Sequence, residues 1–164
     1  MEITNEPKII DTLGNIALLD LPKTAFLCSR KVSALSVLRC YDWAIAQRDA
    51  GVCVISGFHS PLEKDVLHYL LKGQQPIIVA CPRGIPKRID AALQTAIDAG
   101  RMLLVSPFDA SVTRVSAETA ETRNRLMLAI ADEVVVGYAN SEGGLAVLLA
   151  DFDKKLTYLQ DSEQ

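Results

Sequence analysis

Five short, continuous apolar runs recur along this 164-residue chain, each followed by a longer stretch with helical spacing. They are Thr24–Cys28, Val52–Ile55, Pro76–Cys81, Met102–Val105 and Glu133–Tyr138, and a late run, Leu156–Leu159, suggests a sixth strand. The runs are unbroken rather than alternating, as expected of strands covered on both faces. Between them, Ser33–Ala50, Pro61–Lys72, Ile89–Ala99 and Ala117–Ala131 space apolar residues three and four apart. Repeated strand–helix units connect through right-handed crossovers, which gives a mainly parallel sheet with helices on both faces. The expected fold class is therefore α/β, a three-layer αβα sandwich with five to six strands.

Helix boundaries are well marked. Ser60-Pro61-Leu62-Glu63 places a cap at Ser60, proline at the first helical position and a capping-box carboxylate at Glu63. Ser33 and Ser116 suit the same capping role. Gly51, Gly73 and Gly100 follow helix ends, where a left-handed residue closes the last turn. No repeat, linker or low-complexity tract interrupts the pattern, so residues 1–164 read as one domain with its core at about 24–150. The four cysteines, at 28, 40, 53 and 81, include no C-x-x-C pair. Reduced, buried thiols in a cytoplasmic protein are expected, not a zinc site or disulfides. No apolar run is long enough to span a bilayer, and the first 20 residues lack the basic start and apolar block of a secretory signal.

The formal net charge is −3, which excludes a wholesale basic coat for duplex DNA. The acidic excess lies at the two ends. Residues 24–150 carry 13 Lys and Arg against 12 Asp and Glu. Aromatic residues make up only 5%, so a base-stacking platform would be sparse. In an open parallel sheet, ligands bind beyond the carboxyl ends of the strands. Eight of the 13 cations are expected there, namely Arg30, Lys31, Arg83, Lys87, Arg88, Arg114, Arg123 and Arg125. With the neighbouring hydroxyls Ser29 and Ser56 and the glycines Gly57, Gly143 and Gly144, they suit a phosphate-bearing ligand.

Arg123 stands apart. It precedes Leu126, Met127 and Ile130 by three, four and seven residues, which puts a guanidinium on the apolar stripe facing the sheet. A buried charge must be paired. Two readings stay open, an internal ion pair with Asp109, Glu118 or Asp132 and a ligand contact. Arg125 points to another face, so the two cannot grip one phosphate. No G-x-G-x-x-G follows the first strand and no Walker lysine motif occurs, so no dinucleotide or other cofactor is expected. Catalytic and metal-ligating groups are scarce. His59 and His68 are the only histidines, neither beside a cysteine, and no serine sits in a G-x-S-x-G elbow.

Five motifs, in order, resemble the DNA-processing protein A (DprA/Smf) family, whose Rossmann-like domain belongs to the SLOG superfamily. The family's G-S-R after the first strand is here Cys28-Ser29-Arg30, and its S-G-x-x-x-G-I-D is Ser56-Gly57-Phe58-His59-Ser60-Pro61-Leu62-Glu63. Its S-E-Y/F-P resembles Ser106-Pro107-Phe108. The long R-N-R-I-I-A-G-L-S-D-A-V-L-V resembles Arg123 to Val136, and S-G-S-L resembles Glu142-Gly143-Gly144-Leu145. The resemblance covers residues 9–150. It implies a non-catalytic domain that binds single-stranded DNA, helps load a recombinase during DNA uptake or recombination, and forms a homodimer. On that resemblance Arg30, Lys31, Arg83 and Lys87 contact backbone phosphates, while Ser56, Gly57, Arg123 and Asn124 shape the pocket.

The chain departs from the family at Ser60, where an arginine is usual, at Pro61, where a glycine is usual, and in a shorter loop after the third strand. Two other functions compete. One is a sensor of a free nucleotide or nucleotide derivative. The other is a nucleoside-monophosphate phosphoribohydrolase-like enzyme of the same superfamily, disfavoured because Gly143-Gly144-Leu145-Ala146-Val147 lacks that enzyme's P-G-G-x-G-T-x-x-E glutamate.

Overall fold

A computed structural model describes residues 6–140, 143–150 and 152–160. The parallel strands are β2 (Lys23–Leu27), β3 (Cys53–Ser56), β4 (Ile77–Ala80), β5 (Met102–Ser106), β6 (Glu133–Val136) and β7 (Lys155–Tyr158). Each lies within two residues of its apolar run. A seventh strand, β1 (Asp11–Gly14), joins antiparallel to β5 with Asp11 opposite Ser106, giving the sheet order β1-β5-β4-β3-β2-β6-β7. Sequence pattern misses β1 because it is a short, largely exposed edge whose place is set by β5 backbone groups. Gly14 makes the pairing possible. Its φ is +118°, and a Cβ there would sit 2.3 Å from the Met102 carbonyl oxygen. A 3-10 turn, Ile16–Asp20, follows, capped by Asn15, whose amide also donates to Gly100 O at 2.8 Å.

The helices are α1 (Ala34–Ala50), α2 (Pro61–Leu71), α3 (Ala91–Asp98), α4 (Ala117–Ile130) and α5 (Gly144–Leu149). Against one face of the sheet, Cys40, Ala44, Val66, Leu70 and Ala96 of α1, α2 and α3 meet Phe26, Val54, Ile77 and Met102. On the other, Leu126, Met127 and Leu149 of α4 and α5 meet Leu27, Ile55, Ile78, Leu103 and Val134. This is the expected three-layer sandwich, with both faces of the strands covered. Among the described residues no helix is long and apolar enough to cross a membrane.

Local signals hold with one exception. Ser33, Ser60 and Ser116 each accept a backbone amide at the head of their helix, and Ser60 forms the capping box with Glu63. Gly51 and Gly100 are left-handed at φ 76° and 77°. Gly73 is not. Lys72 closes α2 in a right-handed conformation, and Gly73 is instead needed because a Cβ would lie 2.2 Å from Gln75 Oε1. All four cysteines are buried free thiols. Burial pushes Cys53 and Cys81 up to about 11.

Candidate nucleic-acid interface

The chain reverses its direction of winding at β2, which lies between β3 and β6. The loops leaving β2 and β6 therefore run to opposite faces and open a crevice at their carboxyl ends. A cleft of about 730 Å³ occupies this position. Ser29, Arg30, Arg123, Asn124, Gly143 and Gly144 all line it, so six of the sequence-derived candidates converge. Ser141 and Glu142, in the loop before Gly143, lie outside the described residues.

Ser56 and Gly57 act beneath the cleft rather than at its surface. Ser56 is fully buried, and its hydroxyl accepts the Phe58 amide at 3.2 Å. Phe58 is buried in the left-handed region at φ 47°, an uncommon conformation for a side chain this large. The loop before α2 so turned presents the amides of His59 and Ser60 to Glu63 Oε1, at 2.9 and 3.1 Å. Glu63 Oε2 reaches across to the Cys28 amide at 3.2 Å, tying the loop that carries Ser29 and Arg30 to the loop after β3. The capping-box spacing in sequence shows the first set of bonds. The bridge to Cys28, 35 residues away, has no local sequence signal.

Arg123 settles one of the open readings. Asp132 pairs with Lys23, and Asp109 accepts from Ser111. Among the described residues no carboxylate forms a salt bridge with Arg123, Glu118 included. Arg123 is only 6% exposed, its Nε donates to Asn124 Oδ1 at 2.7 Å, and its Nη1 is buried with no hydrogen-bond partner. It fits because residue 57 is glycine, since a Cβ there would lie 2.1 Å from Nη1. Burial pulls the Arg123 pKa down, while the negative charge of Glu63 pushes it back up. His59, exposed at the cleft, is also held below its ordinary value, first by desolvation and then by Arg123, Lys64 and Arg30, with Glu63 opposing.

The other candidates lie outside this cleft lining. Lys31 is exposed on the loop after β2. Arg83 and Lys87 follow β4, where Arg83 donates to Thr113 O at 3.2 Å and Lys87 is exposed. Arg125 is misplaced in the sequence reading of the basic edge. It sits midway along α4, pairs with Glu121 at 3.3 Å and lines a separate hollow with Leu128 and Phe152. Helical geometry separates it from Arg123, as the spacing requires. Among the described residues no group of three His, Cys, Asp or Glu side chains is placed to hold a metal.

The family model for DNA recombination-mediator protein A matches residues 1–154. The chain belongs to that family. No curated protein matches it in sequence. Two DNA processing protein A structures share the family's fold with this chain. That from Streptococcus pneumoniae has a TM-score of 0.73 at 18% identity, covering 90% of this chain and 53% of the other. That from Helicobacter pylori, described for its single-stranded DNA binding mode, has a TM-score of 0.72 at 20% identity, covering 100% and 81%. A molybdenum cofactor binding protein from Rippkaea orientalis is more distant, with a TM-score of 0.54 at 14% identity, covering 85% and 77%. The chain thus spans about half the length of the Streptococcus pneumoniae DNA processing protein A chain.

Proposed function

We propose that this member of the DNA recombination-mediator protein A family binds single-stranded DNA, without catalysing a reaction, at the carboxyl edge of its sheet. The observation that carries this reading is Arg123, a desolvated guanidinium at the cleft with no carboxylate paired to it among the described residues. A buried cation left unpaired costs stability, and a phosphate oxygen is the partner that guanidinium geometry favours. Ser29, Asn124, Gly143 and Gly144 supply hydroxyl, amide and backbone groups around it, above Ser56 and Gly57. Arg30, Lys31, Arg83 and Lys87 form the outer contacts to the DNA backbone. The Helicobacter pylori relative's single-stranded DNA binding supports this choice of ligand. A recombinase partner, a homodimer and a cytoplasmic setting belong to the same proposal.

The test is an anisotropy titration of a labelled oligothymidylate across salt concentrations. Affinity falls log-linearly with salt, by about 0.7 per phosphate contact for a single strand. Arg30→Ala weakens binding and lowers that slope by about one contact's worth. Binding that ignores both salt and Arg30→Ala overturns the proposal.

A further inference from the structure

We propose that the floor of the cleft is a seat for a phosphomonoester, the terminal phosphate of a DNA strand or of a free nucleotide, and not for an internal phosphodiester. The inference rests on the reading that the cleft receives phosphates. It follows from the burial of Arg123. With 6% of its surface accessible, the side chain is recessed below Arg30, which stands exposed at the same cleft. An internal phosphodiester carries a sugar on each side and meets exposed cations such as Arg30 first. A terminal phosphate has one substituent, so it can descend end-on while its nucleoside fills the wider part of the 730 Å³ space.

The charge argument agrees. Asn124 takes Nε, Nη1 is buried against Gly57 with no partner, and Arg123 lines the cleft with no carboxylate paired to it among the described residues. The Glu63 carboxylate, whose charge acts on Arg123, is engaged by three backbone amides. A phosphomonoester brings about −1.5 to −2 charges at neutral pH, against −1 for a diester, and presents three terminal oxygens. In a desolvated setting that additional charge is worth far more than at an exposed arginine.

The test compares otherwise identical oligothymidylates bearing a 5′-phosphate, a 3′-phosphate or only hydroxyl ends, with thymidine 5′-monophosphate as competitor. Wild type, Arg123→Met and Arg123→Lys are used, each first shown to be folded by thermal melting. One phosphorylated strand is expected to bind on the order of tenfold more tightly than the hydroxyl-ended strand. That gain is lost in Arg123→Met and reduced in Arg123→Lys. Displacement of the phosphorylated strand by the monophosphate assigns the seat to free nucleotides, and failure to displace it assigns the seat to strand ends. Equal, salt-sensitive binding of all three strands overturns the seat and leaves single-stranded DNA binding standing, as does a phosphate gain that survives in Arg123→Met. If no strand binds while the monophosphate raises the melting temperature of wild type but not of Arg123→Met, the seat stands and the strand reading falls. If neither strand nor monophosphate has an effect, both fall.

Discussion

The alpha carbon of Gly57 lies directly against the guanidinium of Arg123, so closely that a Cβ at 57 would fall 2.1 Å from Nη1 and 2.5 Å from Cζ. One residue's missing side chain is the other's space. Gly57→Ala must therefore push the guanidinium outward or bend the loop after β3, and because the atoms it meets end a flexible side chain the cost is at the low end of overpacking, about 1 kcal/mol. Chemical denaturation measures that loss, and oligonucleotide affinity falls with it because Arg123 leaves its seat. An alanine variant with unchanged affinity would separate the contact from binding.

Arg123→Met reverses the usual link between function and stability. The substitution removes a desolvated charge whose Nη1 has no partner and replaces it with an apolar chain that ends near the position of Nε. Replacing buried charges by apolar groups is often neutral or stabilising, so unfolding free energy is expected to hold or rise by about 1 kcal/mol while phosphate binding is lost. A large loss of stability would show that the guanidinium is structural.

Glu63 predicts a defect that can be assigned to individual amides. Glu63→Ala leaves the amides of Cys28, His59 and Ser60 without their acceptor, at a cost of about 3 kcal/mol. Glu63→Gln keeps one acceptor oxygen. Facing two donors on one side and one on the other, that oxygen is expected to stay with His59 and Ser60. Hydrogen exchange should then accelerate at Cys28 while His59 and Ser60 remain protected.

His59 sets the pH dependence. Its folded-state pKa lies below the ordinary 6.5 because desolvation and Arg123, Lys64 and Arg30 disfavour the imidazolium, against the pull of Glu63. Below pH 6.5 the unfolded chain takes up a proton that the folded one refuses, so His59's contribution to stability is present above that pH and is lost as pH falls. A phosphate in the cleft opposes this shift. Binding then takes up a proton, and affinity for a hydroxyl-ended strand strengthens as pH falls toward the lowered value of the free protein, a dependence that His59→Gln flattens. An unchanged pH profile in His59→Gln would place the imidazole outside the field of the ligand.

Much of the site was legible before the fold was known. Arg30 comes from the loop after β2 and Arg123 from α4, yet both reach one cleft, because that loop and the first half of α4 both lie at the carboxyl edge of the sheet. Arg83 was harder to place. Which carbonyl its guanidinium finds, here Thr113 O, depends on the path of a neighbouring loop and not on local spacing. Arg125 shows the limit more sharply, since its place among basic neighbours in the chain said nothing of its distance along α4 from the cleft.

By itself the order of residues determined the alternation of strands and helices, the capped starts of α1, α2 and α4, and the burial of a lone arginine on an apolar stripe, because periodicity and capping act over a few residues. Tertiary structure alone decided that β1 forms an edge of the sheet, that Glu63 joins two loops, and that no carboxylate pairs with Arg123 among the described residues. Those outcomes depend on groups far apart in the chain, whose meeting is set by how the helices pack across the sheet and not by any local preference.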